Sequence, residues 1–144
     1  MFSKTCEYGI KATLFIAQRS QEGIRVSLKE IAQAIDSPEA FTAKILQSLV
    51  KANVIDSYKG PKGGFSIEKA HLERISLKEV VVALDGSHLF NVCVLGLDKC
   101  NAKQPCPVHN QFVGIREQLN ATLANTSLSQ VAEELKTGES VLKI

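Results

Sequence analysis

Three of the four cysteines in this chain lie close together, within residues 92–111. Cys93, Cys100 and Cys106 are followed by His109, which places four soft or borderline metal ligands within 17 positions. Zinc and iron–sulfur clusters are held by ligands of this kind, whereas calcium and magnesium prefer oxygen. One glycine and two prolines interrupt any regular helix in the same stretch. The sequence therefore predicts a loop whose thiols can turn towards one ion or cluster.

Two other uses of cysteine have to be weighed. A free thiol often behaves as a small buried hydrophobe, and this interpretation suits Cys6, which stands apart near the start of a predicted helix. A structural disulfide is less favoured, because the N-terminus, MFSKTCEYG, does not look like a secretory signal. The expected compartment is the cytoplasm, a reducing environment in which disulfides are rare.

The composition is that of an ordinary soluble domain. The chain has 144 residues, of which 44% are hydrophobic and 22% charged, and its net charge is only +2. Residues 1–69 carry ten Lys/Arg against seven Asp/Glu, whereas residues 70–144 carry seven against eight. Any anionic partner is therefore expected to meet the first half. No apolar run is long enough to suggest a membrane segment, and the absence of tryptophan disfavours base stacking as a binding mode.

The first half has the periodicity of three helices that would position a DNA-binding face. The predicted helices are helix one (Thr5–Gln18), a short helix two that starts after Ser27, and helix three (Pro38–Ala52). Ser27 and Glu30 form a capping box, and Ser37 is predicted as an N-cap with Pro38 at the first helical position. Two short helices separated by a tight break are typical of a helix-turn-helix motif.

One face of helix three is apolar and the opposite face is not. At 100° per residue, the outward residues lie opposite Phe41, Ile45 and Leu49. In a helix-turn-helix protein, long polar side chains on that face can address base edges, while alanines allow close approach or touch thymine methyls. The alternative is an ordinary solvated helix face. The candidate DNA-contacting residues of this segment are Ser37, Ala40, Ala43, Lys44 and Gln47.

A β-hairpin is predicted directly after helix three. Residues 54–58 and 65–67 are strand-like, and the turn between them is rich in glycine. Lys59 and Lys62 place two cations at the tip, and Gly63 and Gly64 allow the backbone to approach a ligand closely. Such a tip can lie along phosphates or enter a minor groove. Three helices followed by a basic hairpin are the winged-helix arrangement, so the predicted fold is mainly α with one small β-hairpin.

The second half predicts a long helix that the winged-helix core does not cover. Ser76 begins a helix that ends at Gly86, and apolar residues at helical spacing predict a helix from about Val108 to Ala124. A second copy of the same helix would cover its apolar stripe economically, since closed dimers dominate homo-oligomers. The expected organisation is a winged-helix DNA-binding domain (1–86), a cysteine-rich loop (87–107), and a dimerisation helix with a short C-terminal helix (108–144).

These features resemble the bacterial IscR/NsrR/CymR family of winged-helix transcription regulators, sometimes called the Rrf-two type. The resemblance covers nearly the whole chain, and the combination of the hairpin with the cysteine loop is specific. The stretches that carry it are Tyr8–Ala12 (YGIKA), Ser27–Ala32 (SLKEIA), Phe41–Leu49 (FTAKILQSL), Lys59–Phe65 (KGPKGGF) and the three-cysteine loop.

The resemblance implies that Cys93, Cys100 and Cys106 are thiolate ligands of an iron–sulfur cluster, with [2Fe–2S] favoured and [4Fe–4S] as the alternative. It offers two candidates for a fourth ligand. His109 matches the Cys-x-x-His ending of the IscR branch. Glu7 stands where an acidic residue of the NsrR branch ligates the cluster from the partner subunit.

Two departures from the family pattern leave the cluster type and the operator open. Six residues separate Cys93 from Cys100, one more than in the IscR branch. Ala43 replaces an acidic residue that IscR uses in sequence selection. The signal sensed, and whether DNA binding represses or activates, are also left open by the sequence.

The leading prediction is a homodimeric DNA-binding regulator, more readily a repressor, whose affinity for double-stranded DNA is controlled by the cluster. The first alternative keeps the DNA-binding fold but uses the cysteines as thiol redox switches or as zinc ligands together with His109. The second is an iron–sulfur electron-transfer or delivery module, which needs no basic hairpin. An enzyme is not expected, because the chain has no nucleophile–base motif, no phosphate loop and no paired acids.

Overall fold

The computed structural model describes residues 1–144 and contains eight helices and one two-stranded antiparallel sheet. In chain order the elements are α1 (Lys4–Gln21), α2 (Leu28–Ala34), α3 (Glu39–Lys51), β1 (Asp56–Tyr58), β2 (Gly64–Ser66), α4 (Lys69–Arg74), α5 (Leu77–Asp85), α6 (His88–Asn91), α7 (His109–Asn125) and α8 (Leu128–Thr137). The fold class predicted from the sequence, mainly α with a small β-hairpin, is confirmed. None of the helices combines the length and the apolar character needed to cross a bilayer.

Helix starts follow local capping chemistry at two predicted places. At the start of α2, the Glu30 amide donates to Ser27 Oγ (3.2 Å) while Glu30 Oε2 accepts from the Ser27 amide (2.7 Å). At the start of α5, Glu79 Oε2 likewise accepts from the Ser76 amide (2.7 Å), while the Glu79 amide donates to the Ser76 carbonyl (3.2 Å). These reciprocal bonds satisfy amides that a helix start leaves without partners. They explain why both helices begin where the sequence predicts.

The start of α3 lies one residue later than predicted. Pro38 is the N-cap, in an extended conformation (φ −59°, ψ 138°), and the helix begins at Glu39. The Pro38 carbonyl accepts from both the amide and the hydroxyl of Thr42 (2.9 Å each). Ser37 makes no capping bond, so its predicted role as N-cap is wrong. The Thr42 hydroxyl bonds back to the carbonyl one turn earlier, and the start of α3 has no side-chain cap.

The main core lies between α1 and the helices that surround it. Ile16, Ile31, Ile45 and Leu49 are fully or almost fully buried within it. Gly9 lets α1 approach α5 closely, because a Cβ at this position would overlap the Leu84 side chain. Burial of such side chains is the main term that stabilises a domain of this size. The core thus fixes α3, through its inner face, relative to α1 and α5.

The C-terminal helix α8 packs on the same core. Leu128 and Ala132 are fully buried there, and α8 lies along α1. Two backbone bonds join its start to the start of α5, from the Leu77 amide to the Thr126 carbonyl (2.9 Å) and from the Leu128 amide to the Ile75 carbonyl (3.0 Å). The last helix of the chain is therefore tied directly to α1 and α5, the helices against which α3 packs.

The first hairpin strand is shorter than the sequence predicts, and the second starts and ends one residue earlier, because the outer residues of both enter the core. Val54, Ile55 and Ile67 are buried, which leaves only three residue pairs, Asp56 to Ser66 through Tyr58 to Gly64, in the sheet. Val26 adds an isolated bridge on the other side of Phe65. Its amide donates to the Phe65 carbonyl (3.0 Å) and its carbonyl accepts from the Phe65 amide (2.8 Å). The segment before α2 therefore anchors the base of the hairpin.

Gly64→Ala is expected to destabilise this anchor. Gly64 has φ +129°, and a Cβ there would lie 2.6 Å from the Val26 carbonyl oxygen, a backbone atom that cannot turn away. Strain of this kind lowers the free energy of unfolding by roughly 1–3 kcal/mol, and the clash adds to it. Urea denaturation of both variants measures the effect. The matched control is Gly60→Ala, where φ is +93° but nothing lies near the added Cβ; equal losses in the two variants would contradict the role of the Val26 contact.

Candidate functional site

The outward face of α3 is free of contacts with the core. Ala40, Lys44 and Gln47 are exposed, and Ala43 is partly exposed. On the opposite face, Ile45 and Leu49 are buried in the core. The helix is therefore held firmly by one face while the residues predicted to contact DNA are available on the other.

The outward face of α3 and the hairpin border the same surface groove. Ala43 and Gln47 line it from α3, Phe65 and Ser57 from the hairpin, and Leu28 from the start of α2. The groove has a volume of about 400 Å³. The hairpin thus lies beside the exposed face of α3, as in a winged helix, and both elements can meet one extended ligand together.

The hairpin tip presents its lysines to solvent. Lys59 and Lys62 are exposed, and Gly60 adopts φ +93° between them. A Cβ at Gly63 would overlap the backbone of Tyr58 and Gly60, so only glycine permits this narrow turn. The predicted tip residues are therefore together on one exposed loop.

Arg25 is a further cation at the base of the hairpin, and the sequence analysis did not identify it. Its guanidinium lies 3.5 Å from the centre of the Tyr58 ring and donates to the Lys62 carbonyl (3.4 Å). Stacking of arginine on an aromatic face is a favourable cation–π contact. Its neighbour Val26 bridges to the hairpin, a long-range pairing that no local pattern indicates.

None of these cations is neutralised by a carboxylate. The two salt bridges of the chain are Lys4–Glu7 and Arg19–Glu22, and neither involves α3 or the hairpin. Ser37, the first residue of the predicted set, differs from the others, because its hydroxyl oxygen is buried and has no hydrogen-bond partner. Unpaired surface cations beside an exposed helix can neutralise phosphates of a nucleic acid.

The cysteine loop follows α6 and ends at α7. Cys93 is only 4% exposed, whereas Cys100 and Cys106 are partly exposed. The backbone amides of Leu97 and then Leu95 donate to the Cys93 sulfur and lower the pKa of this thiol, and the nearby Cys106 thiol acts in the same direction. Two amides and a second thiol directed at one sulfur form a setting that favours the thiolate, the form that binds metals.

Arg116 connects the loop to α7, and the sequence analysis missed this residue too. Its Nη2 donates to the Cys100 sulfur at 3.0 Å, and its Nη1 donates to the Val92 carbonyl. His109, at the start of α7, places Nδ1 3.4 Å from the same sulfur. Arg116 lies two helical turns after His109, so both side chains come from one face of α7. The seven-residue spacing between His109 and Arg116 was the feature of the sequence that could have placed both side chains on the same face of the helix.

The four predicted ligands come together as two pairs. Cys93 lies beside Cys106, and Cys100 lies beside His109, but no three cysteine, histidine or carboxylate side chains are close enough to share one metal ion. The donor set fits an iron–sulfur or zinc centre in its chemistry, since it consists of three thiols and an imidazole on one loop.

Glu7 lies apart from the thiols of its own chain. It forms an ion pair with Lys4 (2.9 Å) in the first turn of α1. The hydrogen bond and charge of Lys4 lower the pKa of Glu7, so its carboxylate is ionised. A contribution from Glu7 to the cysteine loop would have to come from a second copy of the chain.

Cys6 is expected to resist alkylation in the folded protein. It is fully buried, and burial, followed by the charge of Asp85, raises its pKa to about 12. Because thiolate is the reactive form, a thiol with a pKa near 12 holds roughly a thousandfold less of it at pH 8 than one near 9. Iodoacetamide labelling followed by peptide mass spectrometry should modify the three loop cysteines first. Cys6 should be labelled rapidly only after denaturation. Rapid labelling of Cys6 in the native protein would contradict this prediction.

The apolar side chains of helix α7 are buried only near its C-terminal end. Leu123 is buried, and Leu119 packs with it near Cys6 and Val81. Phe112 and Ile115, in contrast, are 37% and 57% exposed. The neighbouring loop adds three exposed apolar side chains, which are Val94, Leu95 and Leu97. Together these five residues form what we call the α7 patch, an apolar surface of a kind that marks interaction sites.

Comparison with known proteins agrees with this architecture. Residues 2–134 match the family model Rrf2, described as "Iron-dependent Transcriptional regulator". A predicted HTH-type transcriptional regulator of Aquifex aeolicus is 29% identical over 133 residues, which cover 91% of this chain and 90% of that protein. The HTH-type transcriptional regulator IscR of Photorhabdus laumondii is 28% identical over 137 residues, covering 95% and 79%.

The fold has a close counterpart among solved structures. CymR of B. subtilis, the global cysteine regulator of that organism, superposes with a TM-score of 0.75 at 24% identity, covering 92% of this chain and 96% of CymR. At this identity the likeness concerns the fold, and it confirms the winged-helix architecture. The family and the relatives are transcriptional regulators and not enzymes, as the sequence predicts. With nearly the whole chain matched by the family model, this protein belongs to the Rrf2 family of transcriptional regulators.

Proposed function

We propose that two copies of this chain bind an operator in double-stranded DNA and act as a repressor. An iron–sulfur cluster in the cysteine loop would control their affinity for the operator. The observation that carries the proposal is the gathering of Cys93 with Cys106, and of Cys100 with His109, at the start of α7. The family description as iron-dependent and the similarity to a protein named IscR support the same assignment. Binding to the bacterial chromosome would place the protein in the cytoplasm.

Cys93, Cys100 and Cys106 would hold the cluster, with His109 as the fourth ligand and Glu7 of a second copy as the alternative. A cluster of this kind supplies a centre whose charge and stability respond to oxidants, nitric oxide and iron supply. Within the chain, Arg116 holds Cys100 and the Val92 carbonyl on α7. Any rearrangement of the loop is thereby transmitted to that helix.

The DNA contacts would come from α3 and the hairpin. Lys44 and Gln47 are the side chains long enough to reach base edges in the major groove, while Ala40 and Ala43 permit close approach. Lys59 and Lys62 would contact phosphates, or the minor groove that adjoins the major groove occupied by α3. Two copies must present their recognition helices about 34 Å apart to read two half-sites, so a small change at α7 is sufficient to alter binding.

Ile115→Lys is expected to convert the protein to a monomer. Ile115 is the more exposed of the two apolar side chains that helix α7 itself contributes to the α7 patch, and a second copy of α7 is the partner that would cover it. A charge there would be desolvated in the interface, at a penalty of several kcal/mol, so operator affinity should fall at least tenfold. Light scattering and fluorescence anisotropy measure the two effects. Ile24→Lys, on another exposed apolar residue, is the control; a dimeric Ile115→Lys variant would contradict the proposed interface.

The proposal is tested by purifying the protein under anaerobic conditions and measuring visible absorbance, iron and acid-labile sulfide. A DNA sequence selected from a random pool should then bind the cluster-loaded and cluster-free forms with affinities that differ at least tenfold. Iron and sulfide in stoichiometric amounts support the proposal, whereas a colourless protein with one zinc per chain overturns the cluster assignment.

A thiol switch without a cluster is a second candidate, favoured by one observation. The Cys106 thiol contributes to the lowered pKa of Cys93 and so lies near it, and an oxidant that accepts two electrons could join the two thiols in a disulfide. In that case DNA binding would respond to hydrogen peroxide in metal-free protein. It would recover with dithiothreitol, and neither iron nor sulfide would be needed.

A further inference from the structure

A polar cavity lies behind the cysteine loop, between α5, α6 and α7. It has a volume of about 270 Å³, and its walls include Lys78, Phe90, Arg116, Glu117 and Asn120. The Lys78 ammonium lies 5.4 Å from the centre of the Phe90 ring. The cavity is separate from the face of α3 and from the four candidate cluster ligands. Its size suits a small organic molecule.

Three charged side chains border this cavity and none of them is in a salt bridge. Lys78 and Arg116 are cations and Glu117 is an anion, and the ion pairs of the chain involve other residues. Opposite charges held around one space without pairing are suited to a ligand that carries both signs. A carboxylate would meet the two cations, and an ammonium group would meet Glu117.

The two buried polar atoms without partners on α7 point to the same ligand chemistry. Arg116 Nε, a donor, and Asn120 Oδ1, an acceptor, are both shielded from solvent and make no hydrogen bond. Leaving such groups unpaired in a buried position is unfavourable. The two residues are four positions apart, hence neighbours on one helix face. Because both atoms are shielded, they would pair with the carboxylate and the ammonium of a ligand only if its entry moves the groups that cover them.

The guanidinium of Arg116 is already fixed before any ligand arrives. Its two terminal nitrogens each donate one hydrogen, to the Val92 carbonyl and to the Cys100 sulfur, which leaves Nε–H and one hydrogen on each terminal nitrogen as donors for a ligand. A side chain held in this way loses little conformational freedom on binding, which favours affinity. Glu117 lies 200° around the helix from Ile115, whereas Arg116 is one turn after Phe112, so the cavity borders the α7 patch on one side.

We propose that this cavity is a binding site for a free α-amino acid, with its carboxylate held by Arg116 and Lys78 and its ammonium by Glu117 and Asn120. The side chain of the amino acid would face Phe90 and the open mouth of the cavity. None of the four residues proposed to hold the amino acid is a candidate cluster ligand or lies on α3, although Arg116 also donates to the Cys100 sulfur. If no amino acid binds, the proposed cluster-controlled DNA binding still stands. If that proposed function fails, the amino-acid site can still exist.

The test is isothermal titration calorimetry of the full-length protein with a panel of α-amino acids, compared with acetate, methylammonium and inorganic phosphate. At least one amino acid should bind with one site per chain, and the single-charge probes should bind at least tenfold more weakly. An equal affinity for phosphate would mean an adventitious ion only and would overturn the proposal. So would the absence of binding by every amino acid at millimolar concentration.

Two near-isosteric substitutions locate the site. Lys78→Met keeps the aliphatic stem beside Phe90, and Glu117→Gln keeps the shape of the carboxylate, so both variants should fold. Each removes one charged partner and should weaken binding of the amino acid about tenfold or more. Glu117→Gln should leave the affinity for acetate unchanged, because acetate lacks the ammonium group.

The matched controls are Lys136→Met and Glu133→Gln, both exposed on α8 and remote from the cavity walls. They should bind the amino acid as the original protein does. Asn120→Leu, which removes the unpaired acceptor, provides a third variant if either charge substitution disturbs folding, as judged by circular dichroism. Unchanged binding in a folded Lys78→Met or Asn120→Leu protein would overturn the assignment.

Discussion

Cys100→Ser is expected to lose the iron–sulfur cluster and with it the control of DNA binding. Cys100 is the sulfur on which the loop converges, because both the Arg116 guanidinium (3.0 Å) and His109 Nδ1 (3.4 Å) lie against it. Serine preserves the size of the side chain but offers a hard oxygen in place of a soft thiolate, which iron–sulfur clusters use as their ligand. Iron and sulfide per chain should fall below about a tenth of the original content, as for any site deprived of a ligand.

The measurement combines visible absorbance, metal and sulfide analysis, and DNA binding of the anaerobically prepared protein. Cys6→Ala is the control, since Cys6 is fully buried against Val81 and Leu123 and takes no part in the loop. It should retain the cluster while lowering the melting temperature. A Cys100→Ser protein with full iron and sulfide would overturn the proposed ligand set.

The same assay separates the two candidates for the fourth ligand. His109→Ala removes the imidazole beside Cys100, whereas Glu7→Gln removes the carboxylate paired with Lys4. If His109 is the ligand, its variant should lose the cluster faster in air, and Glu7→Gln should behave like the original protein. The reverse pattern would assign the ligand to Glu7 of the second copy, because in its own chain Glu7 is not grouped with the thiols.

The parts of the fold that were predictable from the sequence are those that local interactions determine. Ser27 with Glu30, and Ser76 with Glu79, cap helices through bonds between residues three apart, so a short window of sequence contains the whole signal. The basic turn of the hairpin is equally local. The short helices α4 and α6 were not predicted, since elements of four to six residues are too short to show a periodicity.

What the sequence did not indicate depends on contacts between distant residues. Arg25 joins the hairpin only because Val26 pairs with Phe65, some 40 residues later. Arg116 reaches Cys100 and Val92 from the second turn of α7. The same limit applies to the boundaries of the hairpin, because Val54 and Ile67 have strand-like chemistry but are recruited into the core. Tertiary burial overrides local preference at these positions.

The double variant Lys59→Ala/Lys62→Ala is expected to bind DNA weakly and with a reduced dependence on salt. Both lysines are exposed at the hairpin tip and neither is paired with a carboxylate. Each phosphate contact contributes about 0.9 to the slope of log K against log salt. Four lysines in a dimer should therefore lower the magnitude of this slope by about 3–4 and reduce affinity at low salt by one or more orders of magnitude. Fluorescence anisotropy at several sodium chloride concentrations measures both quantities.

Gln47→Ala should give the opposite signature, and the contrast identifies the role of each element. Gln47 is exposed on α3 and lines the groove shared with the hairpin, where an amide can bond to a base edge. Its loss should remove about 1–3 kcal/mol of discrimination at one base pair and leave the salt slope unchanged, since no phosphate contact is lost. Lys136→Ala/Lys143→Ala, a pair of exposed lysines near the C-terminus, is the control for charge alone. An unaltered slope in the hairpin variant would exclude the tip from the phosphate contacts, and specificity would then have to come from α3 alone.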